Sequence, residues 1–296
     1  MNKIAALFDR NTLLHLRLPF SFFLLPVFLF AISQTGGIHI YNTVMLFIAL
    51  HFFIYPGSNI YNSYMDEDKG SIGGLKQPPP VTKKLYYVSI IFDIIGIVLC
   101  AFIGVTMAML GILYIMVSKA YSWKGIRLKK FAIAGWLVVM LFQGGYTYMM
   151  VKMTADNLFR LDWFSINNLL GMLIASLLIG GYYPLTQIYQ HEEDKSRGDI
   201  TISYMLGIIG TFIFSGILFL IASSVAFCYF QLFYSITHFI IFLCCLIPVI
   251  CYYFYWFNKS FRQNQNADYQ HAMRMTLISS CCLITCFSLL FYLNHF

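Results

Sequence analysis

Two stretches of the sequence, SNIYNSYMDEDKG at residues 58–70 and TQIYQHEEDKSRG at residues 186–198, each end a long apolar run. Aligned on their last glycines, they repeat one pattern of two amides and a carboxylate, in the pairs Asn59 and Gln187, Asn62 and Gln190, and Asp66 and Asp194. Positions i, i+3 and i+7 share one face of a helix. We therefore expect each run to be a helix that ends in a polar stripe.

The composition excludes an ordinary soluble protein. Of the 296 residues, 59% are hydrophobic and 10% are charged, whereas a soluble domain carries about 25% charged residues. A helix needs about 20 apolar residues to cross a bilayer. The predicted spans are approximately residues 16–33, 40–58, 85–103, 104–121, 131–150, 166–188, 203–227, 230–257 and 275–293. The sequence thus predicts an all-α, polytopic membrane protein, with residues 1–296 forming one domain of nine transmembrane helices.

The distribution of positive charge predicts the orientation. With the N-terminus in the cytoplasm, all of the 19 lysines and arginines except Lys152 and Arg160 fall on the cytoplasmic side. Such a bias is typical of membrane proteins, so the net charge of +7 does not indicate a nucleic-acid partner. We expect both acidic stretches to face the cytoplasm, with membrane lipid around the spans.

The polar stripes are candidates for a metal–diphosphate site. Amides inside a membrane are costly unless they are paired or line water. Carboxylate and amide oxygens are hard ligands that suit Mg²⁺, which usually bridges to phosphate. Lysines and arginines are frequent around both stretches. Hydrogen bonding of the amides to neighbouring helices is the alternative interpretation.

Four stretches resemble the UbiA superfamily of intramembrane prenyltransferases, whose members have nine transmembrane helices around a central cavity. NSYMDEDKG at residues 62–70 is similar to the family motif NDxxDxxxD at the end of the second helix. QIYQHEEDKSRGDITISYMLG at residues 187–207 is similar to the DxxxD region that ends the sixth helix. YSWKGIRLKK at residues 121–130 and RLPFSFFLLP at residues 17–26 resemble two further family segments.

The resemblance implies transfer of an isoprenyl group from an isoprenyl diphosphate to a lipophilic acceptor, with Mg²⁺ as cofactor. It implies catalytic roles for Asp66 and Asp194. The implied metal ligands are Asn62, Asp66, Asp68, Gln190 and Asp194. The implied diphosphate contacts are Asn59, Lys76, Lys119, Arg127, Lys129 and Arg197, and further candidates are Tyr121, Gln187 and Glu193.

The motifs also depart from the family pattern, because Ser63, Gly70 and Gln190 stand where aspartates are expected. Two other functions therefore stay open: a class I terpene cyclase of the same superfamily, and a non-catalytic lipid-binding homologue. Asp93 is the one acidic residue inside a predicted span. An intramembrane carboxylate is a functional candidate, and a hydrogen bond to a neighbouring helix is an equally good explanation.

Overall fold

The structure is a computed structural model that describes residues 7–67, 70–159 and 163–296. Within these ranges the regular secondary structure is helical, apart from one isolated bridge between Ile72 and Leu75. The described part of the chain contains nine helical segments that are long and apolar enough to span a membrane. They are α1 (Arg10–Ser33), α2 (Ile40–Asp66), α3 (Lys83–Ile103), α4 (Val105–Ser122), α5 (Ala132–Ala155), α6 (Ile166–Arg197), α7 (Ile202–Phe233), α8 (Ile236–Arg262) and α9 (Tyr269–His295).

The predicted all-α membrane architecture is therefore confirmed, with shifts at the helix ends. A sharp turn at Gly104 joins α3 to α4, and this glycine adopts φ 156°. The α8 span begins at Ile236 instead of Phe230, because α7 continues to Phe233 and Ser235 precedes the next helix. Apolar residues run through this junction, so hydropathy gave no sign of it.

Residues 7–22 and 39–128 form one compact unit, which contains α2, α3 and α4. Close approach of α2 and α3 depends on Gly96, where a Cβ would lie 2.6 Å from Ile54 Cγ1. The buried apolar cluster of this unit contains Leu16, Ile60, Leu85 and Val88. Burial of these side chains positions the polar end of α2.

Residues 23–38 and 129–296 form a second compact unit, which contains the end of α1 and α5 to α9. The backbones of α5 and α6 meet at Gly144, where a Cβ would lie 2.6 Å from Ser176 Cα. A cluster of buried apolar side chains joins α6 to α7, α8 and α9 through Leu185, Phe212, Val249, Trp256 and Met275.

The sixth span is not one continuous α-helix. Its first part, Ile166–Leu185, ends one residue after Pro184. Proline has no N–H to bond the carbonyl four residues earlier, and Gly180 O instead accepts a hydrogen bond from Trp136 Nε1 at 2.8 Å. A 3₁₀ turn at Ile188–Gln190 and a short helix at His191–Arg197 follow. The expectation of a single α-helical stripe through Gln187, Gln190 and Asp194 is therefore wrong.

The seventh span carries a kink at Gly207, whose φ of 69° and ψ of 176° lie outside helical values. Thr211 Oγ1 compensates by donating to Gly207 O at 2.7 Å. Its oxygen lies 3.0 Å from Ser203 Oγ, on the other side of the kink. In the eighth span, Pro248 lies inside the helix Ile236–Arg262.

Candidate functional site

The carboxylate of Asp66 lies at the last helical residue of α2 and is only 4% exposed. The helix ends there because Glu67 adopts the left-handed region with φ 52°. Arg127 Nη2 lies 3.8 Å from Asp66 Oδ1. One turn earlier, Asn62 Oδ1 accepts a hydrogen bond from Ser122 Oγ at 2.7 Å. The residues from 55 to 66 form one α-helix, so the stripe predicted for this span is present.

Asn59, the third member of that stripe, contacts the N-terminal segment of the same unit. Its side-chain nitrogen lies 3.5 Å from Leu16 O, and its main-chain carbonyl accepts from Arg17 Nη2 at 3.0 Å. These contacts hold the start of α1 against α2. Lys76 is exposed in the loop after α2, and its carbonyl accepts from Ser71 Oγ at 2.9 Å.

Lys119, a predicted diphosphate contact, is instead paired within the helices of its own unit. Its Nζ lies 2.6 Å from Asp93 Oδ2 and 3.9 Å from the centre of the Tyr61 ring. The absence of a side chain at Gly57 leaves room for the carboxylate, since a Cβ there would lie 3.1 Å from Asp93 Oδ1. Tyr121 is half-buried near the end of the same helix as Lys119. Asp93, the one acidic residue inside a predicted span, therefore has a cationic partner.

Asp194 is the buried carboxylate of the second acidic stretch. Its side chain is held by Thr201, whose Oγ1 donates to Oδ2 at 2.9 Å. Lys129 and Arg197 lie within electrostatic range of it. Arg197 also forms an ion pair with Glu193, with Nη2 2.5 Å from Oε1. The short helix after the break thus gathers carboxylates and cations at one end of the unit.

The two glutamines of this stretch differ in their surroundings. Gln187 is 6% exposed, and its Nε2 donates to Tyr183 Oη at 2.9 Å. Its Oε1 is buried and has no hydrogen-bond partner among the described residues. Gln190 is half-buried, and its main-chain N–H donates to Gln187 O at 2.9 Å. An acceptor oxygen buried in this way is costly unless something binds it.

Several partners of the site were not found from the sequence. Ser122 and Thr201 bind the side chains of Asn62 and Asp194. His191 was also missed, and its Nε2 lies 2.7 Å from Ser203 Oγ. Serine and threonine are frequent in membrane helices as local hydrogen-bond donors, so their presence in the sequence does not by itself indicate a site.

An apolar cavity of about 540 Å³ lies within the second unit, between the end of α1 and helices α6 to α9. Aromatic side chains form much of its wall, among them Phe30, Tyr182, Phe219, Tyr253, Phe257 and Phe287. Helix α6 carries Tyr182 at the cavity and leads on to the segment that holds Asp194. The sixth span therefore contributes Tyr182 to the apolar cavity and Asp194 to the polar end that carries the cations.

A family model, that of the UbiA prenyltransferase family, matches residues 22–294. The chain belongs to this family. No curated protein has a significantly similar sequence. The predicted family membership is thereby confirmed, and the chain is a multi-pass integral membrane protein.

Solved structures of UbiA proteins share the fold. A UbiA homolog from Archaeoglobus fulgidus bound to DMAPP and Mg²⁺ has a TM-score of 0.66 and 17% identity, over 95% of this chain and 99% of the other. A UbiA homolog from the same organism bound to GPP and Mg²⁺ has a TM-score of 0.64 and 15% identity, over 94% of this chain and 99% of the other. A structure of digeranylgeranylglyceryl phosphate synthase has a TM-score of 0.60 and 16% identity, over 96% and 97%.

The donor atoms of this UbiA family member fit Mg²⁺ by type, although its carboxylates are sparse. Among the described residues, no three His, Cys, Asp or Glu side chains are grouped to hold a metal ion. Asp68, a predicted ligand, lies outside the described residues. Mg²⁺ usually needs only one or two carboxylates, since water and substrate phosphates complete its shell. The Oε1 of Gln187, which has no hydrogen-bond partner within residues 7–67, 70–159 and 163–296, is an additional oxygen of the required kind.

Proposed function

We propose that the protein transfers an isoprenyl group from an isoprenyl diphosphate to a lipophilic acceptor, aromatic or otherwise, in a reaction that depends on Mg²⁺. The observation that carries this proposal is the buried carboxylate of Asp194, with Lys129 and Arg197 nearby, on the same span, α6, whose Tyr182 lines the aromatic cavity. Family membership supports the same reaction class. The relatives bound to GPP or DMAPP together with Mg²⁺ are consistent with it.

Each acidic stretch offers groups that would bind a diphosphate. Asp66 and Asp194 are the proposed catalytic carboxylates that would hold Mg²⁺, and Asn62, Gln187 and Gln190 are the candidate amide ligands. When bound, Mg²⁺ neutralises negative charge that develops on the leaving diphosphate. The candidate cations for the remaining charge are Arg127, Lys129 and Arg197, and each lies near one of the two acidic stretches.

Lys119, also predicted as a diphosphate contact, fits that role less well than Arg127, Lys129 and Arg197. Its ammonium is buried against Asp93 and the Tyr61 ring. It would reach a diphosphate only after leaving that pair. We therefore assign the diphosphate to the other cations and treat Lys119 as part of the packing of α3 and α4.

The cavity would receive the hydrocarbon chain and the acceptor. As the carbon–oxygen bond of the donor breaks, an allylic cation forms, and aromatic faces stabilise cations by about 0.5–2 kcal/mol each. Apolar walls also exclude water, which would otherwise capture the cation. The acceptor then attacks this carbon, and the released diphosphate takes up the proton that the acceptor loses, so that prenylated acceptor and protonated diphosphate are the products.

The charge asymmetry of the chain supports a reaction at the cytoplasmic face. The lysines and arginines beside both acidic stretches belong to the side that is richer in positive charge, which faces the cytoplasm in most membrane proteins. The water-soluble head of the donor would then enter from the cytoplasm, while the acceptor enters from the bilayer.

The test is incubation of the purified protein in lipid nanodiscs with Mg²⁺ and allylic diphosphates of several chain lengths, with and without phenolic and lipid acceptors. We expect a prenylated product that requires acceptor and is abolished by EDTA, as measured by mass spectrometry. A variant with Asp194→Asn serves as the matched control for background chemistry.

Two results would overturn the proposal. A cyclic terpene formed without acceptor would identify a terpene cyclase, in which double bonds of the donor itself attack the cation. Absence of both turnover and Mg²⁺-dependent diphosphate binding would indicate a lipid-binding homologue.

A further inference from the structure

The end of α8 and the start of α9 form a basic groove at the boundary of the membrane. The connection between the two helices, QNQNAD at residues 263–268, is polar and lies between two apolar spans. One face of α8 carries, at positions i, i+3, i+7 and i+10, the side chains of Tyr252, Tyr255, Lys259 and Arg262. The two basic residues of this face belong to the last turn of the helix.

The first turns of α9 complete the groove. The Tyr252 hydroxyl lies 3.5 Å from His271 O, and Arg274 lies within electrostatic range of the same hydroxyl. The Tyr255 ring centre lies 6.5 Å from that of His271. Lys259 Nζ lies 5.0 Å from the centre of the Tyr255 ring. The two tyrosines therefore bring the ammonium of α8 and the guanidinium of α9 to one groove.

The groove gathers the positive charge of the last third of the chain. Residues 200–296 contain three lysines and arginines, all of them here: Lys259, Arg262 and Arg274. Both arginines are exposed and Lys259 is half-buried. None of the three forms an ion pair with another residue that the structure describes. These cations are therefore available to an anion from outside the protein.

Asp268 is the one acidic residue of the same stretch. It is the N-cap of α9, where Oδ1 accepts from the His271 main-chain N–H at 2.8 Å and lies 2.9 Å from His271 Nδ1. The positive end of the helix and these donors offset its charge. Three cations and one carboxylate leave the groove with a formal charge of +2 (3 − 1).

An apolar surface continues from the cations along the spanning helices. On α9, Leu277 and Cys281 follow Arg274 at i+3 and i+7, and both are exposed. On α8, Cys251 precedes Tyr255 by four residues and is exposed as well. Tyr255 is itself 48% exposed, as amphipathic aromatic rings commonly are at the level of the headgroups. Positive charge thus lies at the headgroup level, with apolar side chains beside the acyl chains.

We propose that the groove between the end of α8 and the start of α9 binds the headgroup phosphate of an anionic phospholipid. Guanidinium groups bind phosphate oxygens through paired donors, and a lysine adds a point charge. Basic pockets between transmembrane helices recognise anionic headgroups in this way. A phospholipid that also carries a cationic group is disfavoured, because that group is repelled by the same three cations. The groove shares no residue with the groups assigned to the diphosphate or with the aromatic cavity, so this inference does not depend on the proposed function.

The test compares phosphatidylglycerol with phosphatidylcholine of identical acyl chains. Each lipid is titrated into the full chain in detergent micelles, and bound lipid is counted by native mass spectrometry. We expect the wild type to prefer phosphatidylglycerol. Arg274→Gln and Lys259→Gln should each weaken its binding on the order of fivefold, since a basic residue at an anionic lipid contributes about 1 kcal/mol. Binding of phosphatidylcholine should change less than about twofold.

Lys130→Gln is the matched control. Lys130 is exposed and lies in the connection between α4 and α5. This connection is at the same membrane face as the groove, because the four spans α5 to α8 lie between the two. Its replacement also removes one positive charge, and phosphatidylglycerol binding should stay within about twofold of the wild type. Arg274→Lys keeps the charge and should retain most of the binding, which separates charge from local packing.

Three results would overturn the proposal. Equal affinity of the wild type for the two lipids would show that the groove does not select anionic headgroups. Equal losses in Lys130→Gln and Arg274→Gln, or no loss in Arg274→Gln and Lys259→Gln, would show a diffuse attraction to the whole basic face. Displacement of phosphatidylglycerol by an equimolar amount of glycerol 3-phosphate, which has no acyl chains, would identify a site for a soluble phosphate instead of a lipid.

Discussion

The ion pair of Asp93 and Lys119 gives the sharpest prediction about stability. It joins α3 to α4 with an Nζ to Oδ2 distance of 2.6 Å, and the two side chains are 8% and 25% exposed. Replacing Asp93 by leucine leaves the ammonium without its partner inside the spanning region. Replacing Lys119 by methionine leaves the more deeply buried carboxylate alone. The double variant removes both charges and keeps apolar side chains of similar size.

The expected magnitudes follow from burial. Breaking a buried pair by removing one partner costs about 3–5 kcal/mol, whereas replacing both partners with apolar residues is often neutral or stabilising. We expect Asp93→Leu at the lower end of this range, because the lysine side chain keeps some exposure. Lys119→Met should lie at the upper end. The double variant should be more stable than either single variant and within about 1 kcal/mol of the wild type.

The free energy of unfolding of all four proteins in bicelles, measured by a steric-trap assay, tests this prediction. The pair of Lys124 and Glu67 is the control, since its 3.0 Å contact joins side chains that are 61% and 66% exposed. Exposed pairs contribute about 0–1 kcal/mol, so Glu67→Gln should have little effect. Losses below about 1 kcal/mol in both single variants of the buried pair, or additive losses in the double variant, would refute the reasoning.

Three further predictions follow from the acidic stretches and from helix packing. Asp66→Asn and Asp194→Asn should each slow diphosphate release about 100-fold or more, because metal–diphosphate electrostatics dominate the ionisation; near wild-type rates would exclude both as metal ligands. Gln190→Asp should lower the Mg²⁺ concentration for half-maximal diphosphate binding, since an added carboxylate attracts a hard dication; an unchanged titration would mean that Gln190 does not face the metal. Gly144→Ala should destabilise the protein by about 1–3 kcal/mol in the same unfolding assay, because its Cβ would lie 2.6 Å from the backbone of α6. Gly36→Ala, with no atom within 4 Å of the new Cβ, is the neutral control.

The candidate site was predictable in part. Asp66 and Asp194, which stay predicted site residues, were singled out because their amide and carboxylate spacing repeats after two apolar runs. The hydrogen-bond partners Ser122, which donates to Asn62, and Thr201, which donates to Asp194, were not predicted. Ser122 is 60 residues from Asn62 in the chain, and hydroxyl side chains have no pattern that reveals such a contact. The pairing of Lys119 with Asp93 was missed for the same reason, since each residue reads locally as an isolated charge.

The sequence by itself determined the number and helical nature of the spans. The hydrocarbon core of a bilayer holds no water to satisfy backbone groups, so long apolar runs have to form helices. The number of apolar runs of spanning length therefore gives the number of spans. Tertiary structure decided where helices break and which polar groups meet. The break after Leu185 coincides with the bond from Trp136 on another helix to Gly180 O, and the kink at Gly207 is bridged by Thr211. Hydropathy is a local property of the chain, so the sequence alone gives the spans. A hydrogen-bond or ion-pair partner depends on packing between distant segments, so only the tertiary structure gives it.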